Sequence, residues 1–156
     1  MNKIKELSKH GHALFCQLLE KQELKTKHFQ PGDYLLKQGQ EICELYWVGM
    51  GEYSIDHTAK NGRGLSLGLF FADNRLFGEV EFLTDTKCQF DIRASDILEA
   101  KVVPVSLISE FMQQEPMLAI WLSQSLSEKY QDTMSVAMNR ILYPLIYNVA
   151  WDIEQR

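Results

Sequence analysis

Apolar side chains recur at helical intervals at both ends of this chain and in short, turn-punctuated runs between them. In residues 3–24 they fall at Ile4, Leu7, Leu14, Phe15, Leu18 and Leu19. That spacing predicts one or two amphipathic helices, with Gly11 as a break or boundary. From about residue 28 the texture changes. Pro31-Gly32-Asp33, Gly39-Gln40, Gly49-Met50-Gly51, Asn61-Gly62 and Gly78 punctuate runs such as Leu45-Tyr46-Trp47-Val48, Tyr53-Ser54-Ile55 and Leu69-Phe70-Phe71. Short strands with turns about 8–12 residues apart predict an antiparallel sandwich or barrel. Asn61-Gly62 suits a tight type I′ hairpin turn. The strand texture ends near Val105.

Helical spacing then returns. Ser106–Gln114 predicts a short helix with Leu107, Ile108, Phe111 and Met112 on one side. Pro116 suits a first helical turn, and no Gly or Pro follows until Pro144. One helix over 116–142, about 40 Å long, is the expectation. Its stripe runs along Leu122, Leu126, Tyr130, Met134, Ala137 and Ile141. A small β domain cannot cover a stripe of that length, so part of it is expected to meet another helix, in cis or in a partner subunit. After Pro144 a last helix shows Leu145, Ile146, Val149, Ala150 and Ile153.

Length and composition narrow this picture. With 156 residues, 46% hydrophobic and 24% charged, the chain reads as one globular domain with a helical appendage. No apolar run is long enough for a membrane span, and the charged N-terminus lacks the apolar region of a secretory signal. A cytoplasmic location is therefore expected. The net charge of −5, with no basic block, argues against general nucleic-acid binding by these residues. Cys16, Cys43 and Cys88 are far apart and read as reduced thiols; no zinc or iron–sulfur spacing exists. His10 and His12 flank Gly11 without a third ligand, and read as solvated helix residues. No catalytic motif is present, so neither enzyme chemistry nor a cofactor is expected.

The order helix, β-rich module, short helix, long helix, proline, helix resembles the cyclic-AMP receptor protein / fumarate-nitrate regulator family of bacterial transcription regulators. Pro31-Gly32-Asp33-Tyr34 is similar to that family's entry into its jelly-roll. Gly39, Tyr46 and Gly51 match its G…Y…G spacing, Phe77-Gly78-Glu79 its cassette opening, and Glu115-Pro116 the start of its long helix. The resemblance implies an α+β fold: an antiparallel double-stranded β-helix, or jelly-roll, flanked by N-terminal helices and a long C-terminal dimerisation helix. It divides the chain into an N-terminal helical segment (1–27), a β-roll with a short helix (28–115) and the dimerisation helix (116–142). Residues 143–156 would begin a DNA-binding domain that is otherwise absent. A homodimer through Leu122, Leu126, Tyr130, Met134 and Ala137 is implied, with DNA contacted only by a helix-turn-helix outside this chain.

The resemblance also implies a pocket at Gly78, Glu79, Val80, Lys87, Cys88 and Gln89. In the family the glutamate meets a ribose hydroxyl, and an arginine about nine residues later pairs with the phosphate. Here Cys88 stands at the arginine position, Gln89 where a small residue follows, and Lys87 where proline is common. Losing an arginine–phosphate pair removes about 2–5 kcal/mol, roughly 30- to 5,000-fold in affinity. Lys87 is one residue away, on the opposite face of an extended segment. Glu79, Glu81, Asp85 and Asp91 make the neighbourhood acidic. Glu79 contacts a ligand, caps turn amides or pairs with a base such as Arg93. Cys88 reads as a filler thiol ahead of a redox sensor. The expected function is the sensor and dimerisation module of a transcription regulator that does not answer to cyclic AMP, with an unknown small-molecule effector. The alternative is a stand-alone small-molecule-binding module regulating a protein partner.

Overall fold

The structure is a computed structural model and describes residues 2–156. Helix α1 (Lys3–Glu20) starts at Asn2, whose side chain accepts from the Ile4 amide at 3.0 Å, an N-cap that satisfies one otherwise free donor. Strands β1 (Thr26–Phe29), β2 (Tyr34–Leu36), β3 (Glu44–Thr58) and β4 (Gly64–Phe77) follow, then helix α2 (Glu79–Thr84), β5 (Asp91–Ala94) and β6 (Leu98–Pro104). Helices α3 (Val105–Gln114), α4 (Pro116–Leu142) and α5 (Leu145–Glu154) close the described chain. The expected bounds of the long helix match, because Pro116 at its first turn and Pro144 beyond its end fix both limits.

The six strands form one curled antiparallel sheet, a jelly-roll-like β-roll, in the order β1-β6-β3-β5-β2, with β4 on the other edge of β3. Three glycines expected to separate elements lie inside them instead. Gly49 and Gly51 do not punctuate strands; they lie inside β3. Along one edge β3 pairs with β6 from Glu44 to Val48 and with β5 from Tyr53 to Asp56. Gly51 sits at that change of partner, with φ +148, and a Cβ there would lie 2.0 Å from a Leu98 methyl. The strand therefore passes close to β6 only because position 51 has no side chain. Gly11, expected to break the first helix, is buried in the middle of an unbroken α1. A Cβ there would lie 2.3 Å from the Met117 carbonyl oxygen, so glycine is what lets α1 and α4 touch.

The expected separate short strands over 45–71 are instead two long ones, β3 and β4, joined as a hairpin. Asn61-Gly62 does lie at its tip, but in a five-residue loop, Ala59–Arg63. Gly62 alone takes positive φ there, and the Asn61 side chain accepts from the Arg63 amide at 3.0 Å. A type I′ turn needs positive φ at both central residues, so that expectation is replaced by the wider loop.

Two apolar clusters fill the molecule. One lies inside the roll and includes Phe29, Tyr53, Phe77 and Leu98, with Val136 and Ala137 of α4 packed on it. The other joins α1, α3 and the start of α4 to the outer side of β3, through Phe15, Trp47, Phe111, Trp121 and Leu122. Cβ alternation explains the division, since Tyr46 and Val48 face one cluster while Leu45 and Trp47 face the other.

Candidate functional site

Gly78 takes φ +96, and its Cβ would lie 3.4 Å from the Leu45 side chain, so β4 turns into α2 within one residue. The turn drives Glu79, the first residue of α2, into the protein, where it is only 4% exposed. A buried carboxylate needs a partner. Lys129 of α4 supplies it, donating from Nζ to Glu79 Oε1 at 3.1 Å. The suggested partner Arg93 is elsewhere: its Nε donates to the Gly32 carbonyl at 3.3 Å and its guanidinium lies 5.0 Å from the Tyr34 ring. Burial holds the Lys129 ammonium below its ordinary pKa; the Glu79 carboxylate opposes this shift and the Arg75 charge adds to it.

Arg75 comes from β4. Its guanidinium lies 5.1 Å from the Tyr53 ring centre and 5.0 Å from that of Phe77. One terminal nitrogen donates to the Tyr53 hydroxyl, while Nε is buried with no hydrogen-bond partner. Both cations border a cavity of about 380 Å³ between α2, the sheet and the middle of α4. Ile55, Phe77, Phe90, Ile92, Leu126 and Met134 make most of its wall apolar.

The residues expected at a pocket divide between three places. Gly78, Glu79, Val80 and Gln89 line this cavity. Lys87 borders a separate one of about 410 Å³ with Glu41 and Asp85. Cys88 is buried beside a third, of about 210 Å³, where its amide donates to Gln40 at 2.9 Å and its carbonyl accepts from Gly39 at 2.8 Å. Burial and the Glu81 charge push the Cys88 thiol from 9.0 up to about 11, which leaves little thiolate at neutral pH. The α4 stripe also divides. Leu122 is buried in the helical cluster, Ala137 packs on the roll, and Leu126, Tyr130 and Met134 border the cavity. His12 is partly buried: its ring packs between Trp47 and Trp121 at 5.7 and 5.4 Å, with Nε2 3.2 Å from the Asn74 carbonyl. Among the described residues no cluster of three or more His, Cys, Asp or Glu could hold a metal.

Lys129 and Arg75 are the functional candidates that pattern reading missed. Lys129 adjoins the apolar stripe of a helix expected to be occupied with a partner. Arg75 had a usable signal: it is two residues before Phe77 and so on the same face of the strand.

The cyclic nucleotide-binding domain family matches residues 26–115, from the start of the β-roll through α3. The chain belongs to that family. The mouse potassium/sodium hyperpolarization-activated cyclic nucleotide-gated channel 2 is 27% identical to this cyclic nucleotide-binding domain over 96 residues. That covers 62% of this chain and 10% of the channel. The rabbit channel 4 is likewise 27% identical over 62% of this chain and 8% of its own length. The domain thus spans about a tenth of the curated relatives it matches.

Solved structures share the fold at low identity. The c-di-GMP responsive global regulator CLP of Xanthomonas campestris superposes with a TM-score of 0.75 at 16% identity, over 90% of this chain and 69% of that one. The Thermus thermophilus catabolite activator protein gives 0.62 at 17%, over 87% and 59%. The sensor domain of the regulator DNR of Pseudomonas aeruginosa gives 0.58 at 16%, over 80% and 93%. No helix of the described residues is long and apolar enough to cross a membrane.

Proposed function

We propose that this cyclic nucleotide-binding domain is the sensor and dimerisation module of a bacterial transcription regulator, and that it does not respond to cyclic AMP. The observation that carries the reading is the ion pair from Lys129 on α4 to Glu79 on α2, across the wall of one cavity. A molecule entering there meets both the cassette and the long helix. It can therefore bias how two α4 helices pair about a two-fold axis. That angle would set the separation of two helix-turn-helix domains, lying outside these 156 residues, on half-sites roughly 34 Å apart. Within the expected dimer stripe, Leu126, Tyr130 and Met134 remain available to a partner, while Leu122 and Ala137 are engaged inside the chain. The bacterial neighbours in the fold comparison support this reading over an enzymatic one. A cytoplasmic location follows from the role.

Cyclic AMP is disfavoured because Cys88 and Lys87, at and beside the arginine position, offer no cation to the cavity, and the cations that do border it, Arg75 and Lys129, come from outside that segment. A ribose hydroxyl would also have to displace Lys129 from Glu79. Thermal unfolding with millimolar cyclic AMP or cyclic GMP tests this. The expected result is no stabilisation, since a ligand stabilises only as its concentration exceeds its dissociation constant. A rise of several degrees with cyclic AMP overturns it. The curated relatives favour a second reading, because there the matching segment belongs to ion channels. On that reading this is a small-molecule-binding module that regulates a protein partner. Gene sequence encoding a helix-turn-helix directly after residue 156 would decide for the regulator.

A further inference from the structure

The cavity between α2 and α4 carries a charge with no counter-ion. Lys129 is answered by Glu79 at 3.1 Å. Arg75 is not: among the described residues no carboxylate lies within 4.0 Å of it, and its buried Nε has no partner. Glu81 borders the same cavity without reaching either cation, and its carboxyl is shifted towards the neutral form by burial and by Glu79. Both cations also line a cleft of about 610 Å³ between α1, β4 and α4, whose Asp73 and Glu128 make no ion pair with them. A partly buried guanidinium without a counter-charge is stabilised by any anion that reaches it.

We propose, on the reading that this cavity is the effector site, that its ligand is a small apolar molecule bearing one carboxylate. The carboxylate sits on Arg75 and Lys129, and the body packs against Phe77, Phe90, Leu126 and Met134. Two cations then face two carboxylates, Glu79 and the ligand's. The volume, about 380 Å³, is at the small end of ligand sites, which run from about 300 to 1,000 Å³. A nucleotide would bring a base, sugar hydroxyls and a phosphate into a wall whose free polar partners are few. Each polar group left unpaired costs about 1–3 kcal/mol. An apolar acid asks for one anion site and leaves the rest of the wall matched.

Calorimetric titration of the chain with benzoate, phenylpropanoate and octanoate tests the proposal, each beside the alcohol of the same skeleton. Cyclic AMP and inorganic phosphate form separate arms. At least one acid should bind at sub-millimolar concentration, with its alcohol weaker by roughly tenfold or more. Arg75→Gln should erase that preference. So should Arg75→Met, which removes the charge but keeps an unbranched apolar stem and covers the case in which the glutamine variant does not fold. Equal binding of acid and alcohol, no binding by any acid, a preference that survives both variants, or phosphate binding as tightly as the acids each overturn it. Binding of cyclic AMP but no acid leaves the cavity as effector site and removes the acid class. Acid binding that persists in Leu126→Trp, which fills the cavity, removes the cavity reading as well.

Discussion

The two halves of α4 share one helix and one apolar stripe but sit in opposite surroundings. In the first half Leu118, Trp121 and Leu122 are buried. Trp121 lies 4.8 Å from the Phe15 ring and 6.1 Å from that of Trp47, and α1 presses on the same turn through Gly11. In the second half Tyr130 is 66% and Ile141 72% exposed, and Leu126 and Met134 face a cavity rather than a packed core. The first half is bolted to its own chain. The second is tied to the roll through Val136, Ala137 and the Lys129–Glu79 pair and otherwise leaves Tyr130 and Ile141 uncovered.

The contrast between the halves should be strongest at Trp121. Trp121→Ala should cost about 3–5 kcal/mol in chemical unfolding, the usual loss for a buried aromatic, whereas Met134→Ala should cost under about 1 kcal/mol, since a side chain bordering a cavity leaves little new void. Equal costs would mean that the halves do not differ in packing. Next comes Gly11→Ala. Helix propensity alone favours alanine by about 1 kcal/mol, but the new Cβ would meet a backbone oxygen at 2.3 Å. Separating the helices should cost a net 1–3 kcal/mol or so, and a raised melting temperature would show that α1 and α4 are not locked there.

These two sites also mark where the sequence could be read and where it could not. Bounds set by local chemistry were legible: Pro116 and Pro144 framed α4, and Asn61-Gly62 marked the tip of the long hairpin. Gly11 and Gly51 were misread because a glycine that ends an element and one that makes room for a neighbour, here the Met117 carbonyl and the Leu98 side chain, look alike in sequence. Only the neighbour tells them apart, and Met117 and Leu98 are distant in the chain. At the site, Phe77-Gly78-Glu79 marks the turn from β4 into α2 that lines the cavity, but spacing grouped Cys88 with it, and Cys88 does not border that cavity. Lys129 was out of reach for the same reason as Met117: it meets Glu79 across 50 residues, and helix periodicity says which residues share a face, not what that face covers.

The Lys129–Glu79 pair lies at the junction of the halves. A double-mutant cycle with Lys129→Met and Glu79→Gln should give a coupling of about 1–2 kcal/mol, reduced from that of a fully buried pair because Lys129 keeps 23% of its side chain exposed. Zero coupling would detach α2 from α4. The pH dependence has a sign. Burial depresses Lys129 below 10.5, so the unfolded chain holds this proton more tightly and the group's contribution to stability rises as pH climbs towards 10.5. The double variant should lack that rise. Comparing it with wild type at each pH cancels the Cys88 thiol, which runs the other way: raised from 9.0 to about 11, it loses stability over that range.

The smallest effect on stability belongs to the far end of α4, and it separates folding from assembly. Ile141 is exposed and touches neither apolar cluster, so Ile141→Glu should change unfolding free energy by less than about 0.5 kcal/mol. If the second half pairs across a two-fold axis, though, the same substitution puts two carboxylates into an apolar seam, and sedimentation velocity should show the dimer weakened at unchanged melting temperature. Trp121→Ala should do the reverse in kind, lowering the melting temperature without acting on the seam directly. A dimer indifferent to Ile141→Glu would confine pairing to the turn around Tyr130 and Met134. Any ligand would then act on the same few residues that hold the subunits together, because those residues also border the cavity.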